Sequence, residues 1–143
     1  MDCTVKWVSN ETSSAMAFSA ETGSGHVVLM DGAPEAGGNN LAPRPMELVL
    51  AGTGGCTAFD VVMILKKGRH DIRDCSVNLI AERAETDPKV FTKIHFKFIV
   101  SGKNLKRESV LRAIELSKEK YCSASIMLGK TAEISSELEL QEV

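Results

Sequence analysis

The chain has 143 residues, 43% of them hydrophobic and 25% charged, with a formal net charge of −2 and a pI near 5.9. That length suits a single domain, residues 1–143, whose core needs no crosslinks, and the near-neutral balance argues against nucleic acid or an anionic membrane surface as a partner. The opening residues, Met-Asp-Cys-Thr-Val-Lys-Trp, lack the basic and apolar regions of a secretory signal, so a cytoplasmic location is expected.

In chain order, residues 3–8 and 14–20 read as short strands joined by the polar turn Ser9-Asn10-Glu11-Thr12. Val5, Trp7, Met16 and Phe18 alternate as they would in a sheet with one covered face. A third strand, residues 26–30, follows the glycine-containing turn 21–25. The stretch from Asp31 to Arg44 is rich in Gly, Pro and Asn and reads as a loop of a length more often functional than not.

Pro45 to Gly68 reads as one long helix. Pro45 suits a first helical position, and Lys66, Lys67 and Gly68 make a cationic end with a glycine after it. Apolar residues fall on nearly every side, so the helix is expected to be enclosed. Its length raises the question of a membrane span, but Glu47, Thr53, Thr57 and Asp60 favour a buried helix of a soluble protein. Gly52, Gly54 and Gly55 precede Cys56 near its middle. Each costs about 0.5–1 kcal/mol against alanine, which calls for close approach of another backbone or access to the thiol.

Residues 74–83 and 91–100 alternate on either side of the turn Thr86-Asp87-Pro88-Lys89 and predict a hairpin with one buried face. Asn104 is a plausible N-cap for an amphipathic helix on which Val110, Ala113, Ile114, Ser117 and Tyr121 share a face, ending near Cys122. Ser123 is placed to cap a short helix, 124–128, closed by Gly129, and residues 131–140 alternate as a last strand. The order β-β-β-α-β-β-α-α-β makes the fold class α+β with mostly antiparallel pairing.

The chemistry rests on cysteine. The chain has four (Cys3, Cys56, Cys75, Cys122), no pair of them in C-x-x-C spacing. Cys3 and Cys75 begin strands and read as structural. Cys122, at the junction of two helical segments, is placed for a lowered pKa by the N–H groups of a helix start. Its other reading is a small buried hydrophobe, and Cys56, mid-helix, is open to the same alternative. His26, His70 and His95 are dispersed, so neither a metal site nor a cofactor is expected. Glu47 suits the first turn of the helix, Asp60 shares a face with Cys56, and Arg44 is the cation best placed to reach a site from the loop.

Pro-Met-Glu-Leu-Val-Leu-Ala-Gly-Thr-Gly-Gly-Cys (45–56) together with Glu-Lys-Tyr-Cys-Ser-Ala-Ser (119–125) resembles the motif pair of the OsmC/Ohr family, its YhfA-like branch in particular. The resemblance covers almost the whole chain. It implies an OsmC-like fold in which antiparallel sheets wrap around two long central helices of an intertwined homodimer. It also implies thiol-dependent reduction of organic hydroperoxides, with Cys56 attacking, Cys122 resolving, and a dithiol such as a lipoyl group as reductant. The family's peroxidases carry a glutamate at the position of Met46, paired with an arginine from the N-terminal sheet. Here Glu47 is the neighbouring residue and residues 1–43 hold no arginine, so Arg44 and Glu47 become the possible activators. The alternative is a dimer of the same fold that binds a small molecule or senses redox state without catalysis.

Overall fold

Six strands form in the predicted order, and in the chain one long helix follows the third of them. The computed structural model describes all residues, Met1–Val143, which divide into two compact units, Met1–Leu50 and Ala51–Val143.

In the first unit, β1 (Cys3–Trp7), β2 (Phe18–Thr22) and β3 (Val27–Met30) form an antiparallel meander in that order. The second strand starts four residues later than the sequence predicts. Ser14 turns inward and donates from Oγ to Asp31 Oδ1 at 2.6 Å, and Ala17 is fully buried, its carbonyl accepting from the Val8 N–H. Nor does the chain cover one face of this sheet. Val5 and Trp7 are more than half exposed, as is Val27.

The loop after β3 is organised by Asp31. Its carboxylate accepts from Ser14 Oγ and from the backbone N–H groups of Gly32, Asn39 and Leu41. These bonds hold the carboxyl at a pKa of about 2 against burial, which acts the other way. A 3₁₀ turn at Pro34–Ala36 lies inside the loop. Gly38 sits so close to the Gly32 carbonyl that no side chain fits there.

The long helix, α1 (Pro45–Lys67), has the predicted bounds. Glu47 reaches back to the Arg44 N–H at 2.9 Å while the Arg44 carbonyl accepts from Leu48, a capping arrangement that starts the helix on Pro45. One chain by itself encloses the helix on one side only. Only Thr53, Gly54, Thr57, Asp60, Val61 and Leu65 are buried, a stripe at three- and four-residue spacing, and Phe59 on another side is 67% exposed. The helix is long and apolar enough to cross a membrane, but this stripe, with a carboxylate in it, is packed into the chain's own fold.

In the second unit, β4 (Asp71–Arg83) and β5 (Phe91–Lys103) form the expected hairpin, longer than the periodicity shows at both strands' outer ends. Phe91, Ile94, Phe96, Phe98 and Val100 are buried on one face of β5. Each such side chain contributes about 1.5–3 kcal/mol on full burial, which makes this face the centre of the core. The last strand, β6 (Glu133–Glu142), lies beside β5 in parallel, so the connection between them must cross over.

That connection contains α2 (Arg107–Leu116), a π-helical turn (Ser117–Tyr121) and α3 (Ser123–Leu128). Asn104 is not the cap. Its φ is 54° and its N–H is given to the Glu142 carboxylate, so the helix waits until Arg107. The uninterrupted helix predicted up to Cys122 is also corrected. The Cys122 N–H bonds to the Ser117 carbonyl at 2.8 Å, one residue further back than in an α-helix.

Candidate functional site

A π turn changes which residue faces the core. In an α-helix Cys122 would lie about 140° around from Ser117, while Tyr121 would lie nearly above it. The extra residue reverses this: Tyr121 is 49% exposed and Cys122 is fully buried. The shared face that the sequence predicts for Ser117 and Tyr121 therefore ends at Ser117.

Cys122 becomes the N-cap of α3, in extended conformation, with its sulfur accepting from the Ser125 N–H at 3.4 Å. The Ser125 hydroxyl donates to the Cys122 carbonyl. The helix-start position read from the sequence is thus present, but its expected consequence is reversed. Burial pushes the Cys122 thiol above its ordinary value by more than the Ser125 hydrogen bonds lower it, and the neighbouring Cys56 adds to the rise.

Cys56 lies half-buried on α1, with its thiol beside that of Cys122, close enough to raise the latter's pKa. One partly exposed sulfur thus stands against one sealed sulfur. Cys3 is exposed on β1 and Cys75 half-buried on β4. Of the three glycines before Cys56, Gly54 makes room for Leu79 of β4, and Gly52 and Gly55 face open space. None of them makes room for Cys122, and the open space at Gly52 lies on the helix face that carries Cys56.

A buried polar cluster lies beside the thiols. Ser117 Oγ donates to Asp60 Oδ2 at 2.8 Å and lies 2.9 Å from Thr57 Oγ1. Ser117 has one hydroxyl proton and gives it to the carboxylate, so Thr57 must be the donor to Ser117. Sequence reasoning missed this cluster. Its signals were Thr57 and Asp60, polar residues three apart in an apolar helix, and Ser117 on the apolar face of the next.

Arg44 and Glu47 are brought together as well. Arg44 Nε lies 3.6 Å from Glu47 Oε1 and its Nη1 donates to Asn40 Oδ1 at 2.7 Å, so both side chains have partners at the start of α1.

Residues 37–137 match the family model described as OsmC-like protein, a span that includes both cysteines and their helices. The chain belongs to the OsmC-like family. Within it, the chain is 48% identical to Protein YhfA of Escherichia coli K12 over 98% of each sequence. A hypothetical protein from Aquifex aeolicus VF5 has a solved structure with a TM-score of 0.77 and 28% identity, covering 98% of this chain and 96% of that one. The organic hydroperoxide resistance protein OhrB of Bacillus subtilis shares the OsmC-like fold at a TM-score of 0.60 and 20% identity, over 96% of each chain.

Proposed function

We propose that this protein reduces organic hydroperoxides through a two-cysteine cycle. The reading rests on one observation above all: a partly exposed Cys56 beside a buried Cys122. The Cys56 thiolate attacks the terminal peroxide oxygen. An S–O bond forms, the O–O bond breaks, and the alkoxide leaves as an alcohol after taking a proton, with Cys56 now a sulfenic acid. The Cys122 sulfur then attacks the Cys56 sulfur. The S–S bond forms, the S–O bond breaks, and the hydroxyl leaves as water with the thiol proton. A dithiol such as a lipoyl group restores both thiols by exchange and is itself oxidised to a disulfide.

The assignment of roles follows exposure. A peroxide must reach the first sulfur, whereas the second needs to reach only its neighbour. Membership in a family whose solved relatives include proteins named for organic hydroperoxide resistance supports the same chemistry. Arg44 is the proposed activator, with Glu47 as its partner, and the cytoplasm, where dithiols are plentiful, is the proposed compartment.

We also propose a homodimer, with the open side of α1 against a second copy. A groove of about 560 Å³ runs along that side, lined by Gly55, Ala58, Phe59, Val62 and Met63. This groove favours a second reading, in which a small apolar or electrophilic ligand binds there and the cysteines sense redox state.

One assay separates the readings. Reduced protein is mixed with cumene hydroperoxide and dihydrolipoamide, and peroxide loss is followed. The enzyme turns over repeatedly, Cys56→Ser abolishes turnover, and Arg44→Ala lowers it. Oxidation without turnover establishes the binder or sensor instead.

A further inference from the structure

Ser117 joins one part of the site through its side chain and another through its backbone. Its hydroxyl holds Asp60 and Thr57 of α1, the helix that carries Cys56. Its carbonyl accepts the Cys122 N–H and so closes the π turn that faces Cys122 inward. Ser117 is itself fully buried, so water offers its hydroxyl no other partner.

We propose that Ser117 is a positioning residue for the resolving step, latching the π turn to α1 so that Cys122 is held against Cys56. The inference rests on the two-cysteine reading of the site and concerns only its second half. Without the latch, the π turn loses its hydroxyl bonds to Thr57 and Asp60 of α1. Relaxation to ordinary α-helical bonding would carry Cys122 off the inward face and bring Tyr121 toward it. The S–S bond forms only when the two sulfurs meet in line, so a displacement of the order of 1 Å is enough to slow the step by about a hundredfold. Attack of peroxide on Cys56 needs no contribution from the turn.

The two halves can be timed separately in Ser117→Ala. Reduced protein is mixed with one equivalent of cumene hydroperoxide and quenched at intervals, with dimedone to trap sulfenic acid. Mass spectrometry then counts dimedone-labelled Cys56 and the Cys56–Cys122 disulfide. In the wild-type protein the disulfide forms and little label is caught. Ser117→Ala is expected to form sulfenic acid at a near wild-type rate and disulfide about tenfold to a hundredfold more slowly, with labelled and over-oxidised Cys56 accumulating. Thr57→Val, which removes one of the two hydroxyl bonds with little change in shape, is expected to give an intermediate rate and replaces Ser117→Ala if that variant does not fold. Ser117→Thr, which restores the hydroxyl, is expected to recover the disulfide rate.

Disulfide formation at the wild-type rate in Ser117→Ala or, if that variant does not fold, in Thr57→Val overturns the latch. Equal slowing of both halves also overturns it, because a general loosening of structure does not distinguish them. If the wild-type protein itself forms no Cys56–Cys122 disulfide, the two-cysteine reading fails, and the latch fails with it.

Discussion

At the scale of single residues, the two thiols differ more in surroundings than in chemistry. Cys122 has a helix start to lower its pKa, yet burial wins, because a thiolate with no access to water loses more than hydrogen bonding from Ser125 returns. Cys56 has no helix end and is partly exposed. Iodoacetamide at neutral pH should therefore label Cys56 well before Cys122 in the reduced protein, as read by peptide mass mapping. The sign for Cys122 follows from its raised pKa: the protonated form persists as pH rises to the ordinary thiol value of 9.0. Its labelling, and the rate of disulfide formation after peroxide attack, should climb with pH and still be climbing there. Preferential labelling of Cys122 near neutrality would overturn the assignment of roles.

At the scale of elements, one loop and one turn set the geometry of their units. The loop between β3 and α1 has no apolar core of its own and is held by Asp31, whose carboxylate gathers four donors. Its pKa of about 2 lies below the ordinary 3.8, so the folded state prefers the charged form. The stabilisation is fully present above about pH 4 and is lost as pH falls through the interval down to about 2. Asp31→Asn should lower the melting temperature at neutral pH by several degrees and flatten the acid-side decline, measured by thermal melts across pH 2–6. The π turn shows why a sequence pattern can fail locally. Val110, Ala113, Ile114 and Ser117 obey the helical period, and a single extra residue then exchanges Tyr121 for Cys122. No local propensity marks that residue. Its reason is the tie from Ser117 to Thr57 and Asp60, about 60 residues earlier in the chain.

At the scale of the whole molecule, each unit leaves apolar surface that one chain does not cover. In the first unit Val5, Trp7 and Val27 are more than half exposed, and in the second Phe59 is 67% exposed. These residues are the surface that the proposed second copy would cover. For the proposed homodimer, Phe59→Asp should shift the protein from dimer to monomer in sedimentation equilibrium at micromolar concentration. Gly52 and Gly55 supply an independent check, since a Cβ at either meets nothing in the chain. On an open helix face, Gly→Ala stabilises by about 1 kcal/mol. Where two helices cross at those glycines, the same change should weaken the dimer instead. A wild-type protein that is monomeric at these concentrations would remove the homodimer from the reading.

The α+β order of elements was legible in the residues, because hydrophobic period and turn chemistry are local properties. Pro45 and Lys67 bound α1 as the sequence places them, and the alternation of β5 shows its buried face. The motif pair around Cys56 and Cys122 marked the family, with no structure needed. Other features depended on long-range packing. Strand β2 starts late because Ser14 is drawn to Asp31, and β6 runs parallel to β5 because two helices carry the chain back across. Whether Cys122 is activated or sealed was likewise a tertiary decision. A helix start lowers a thiol pKa over a few residues, but burial is set by everything that surrounds the sulfur, and here the surroundings outweigh the cap.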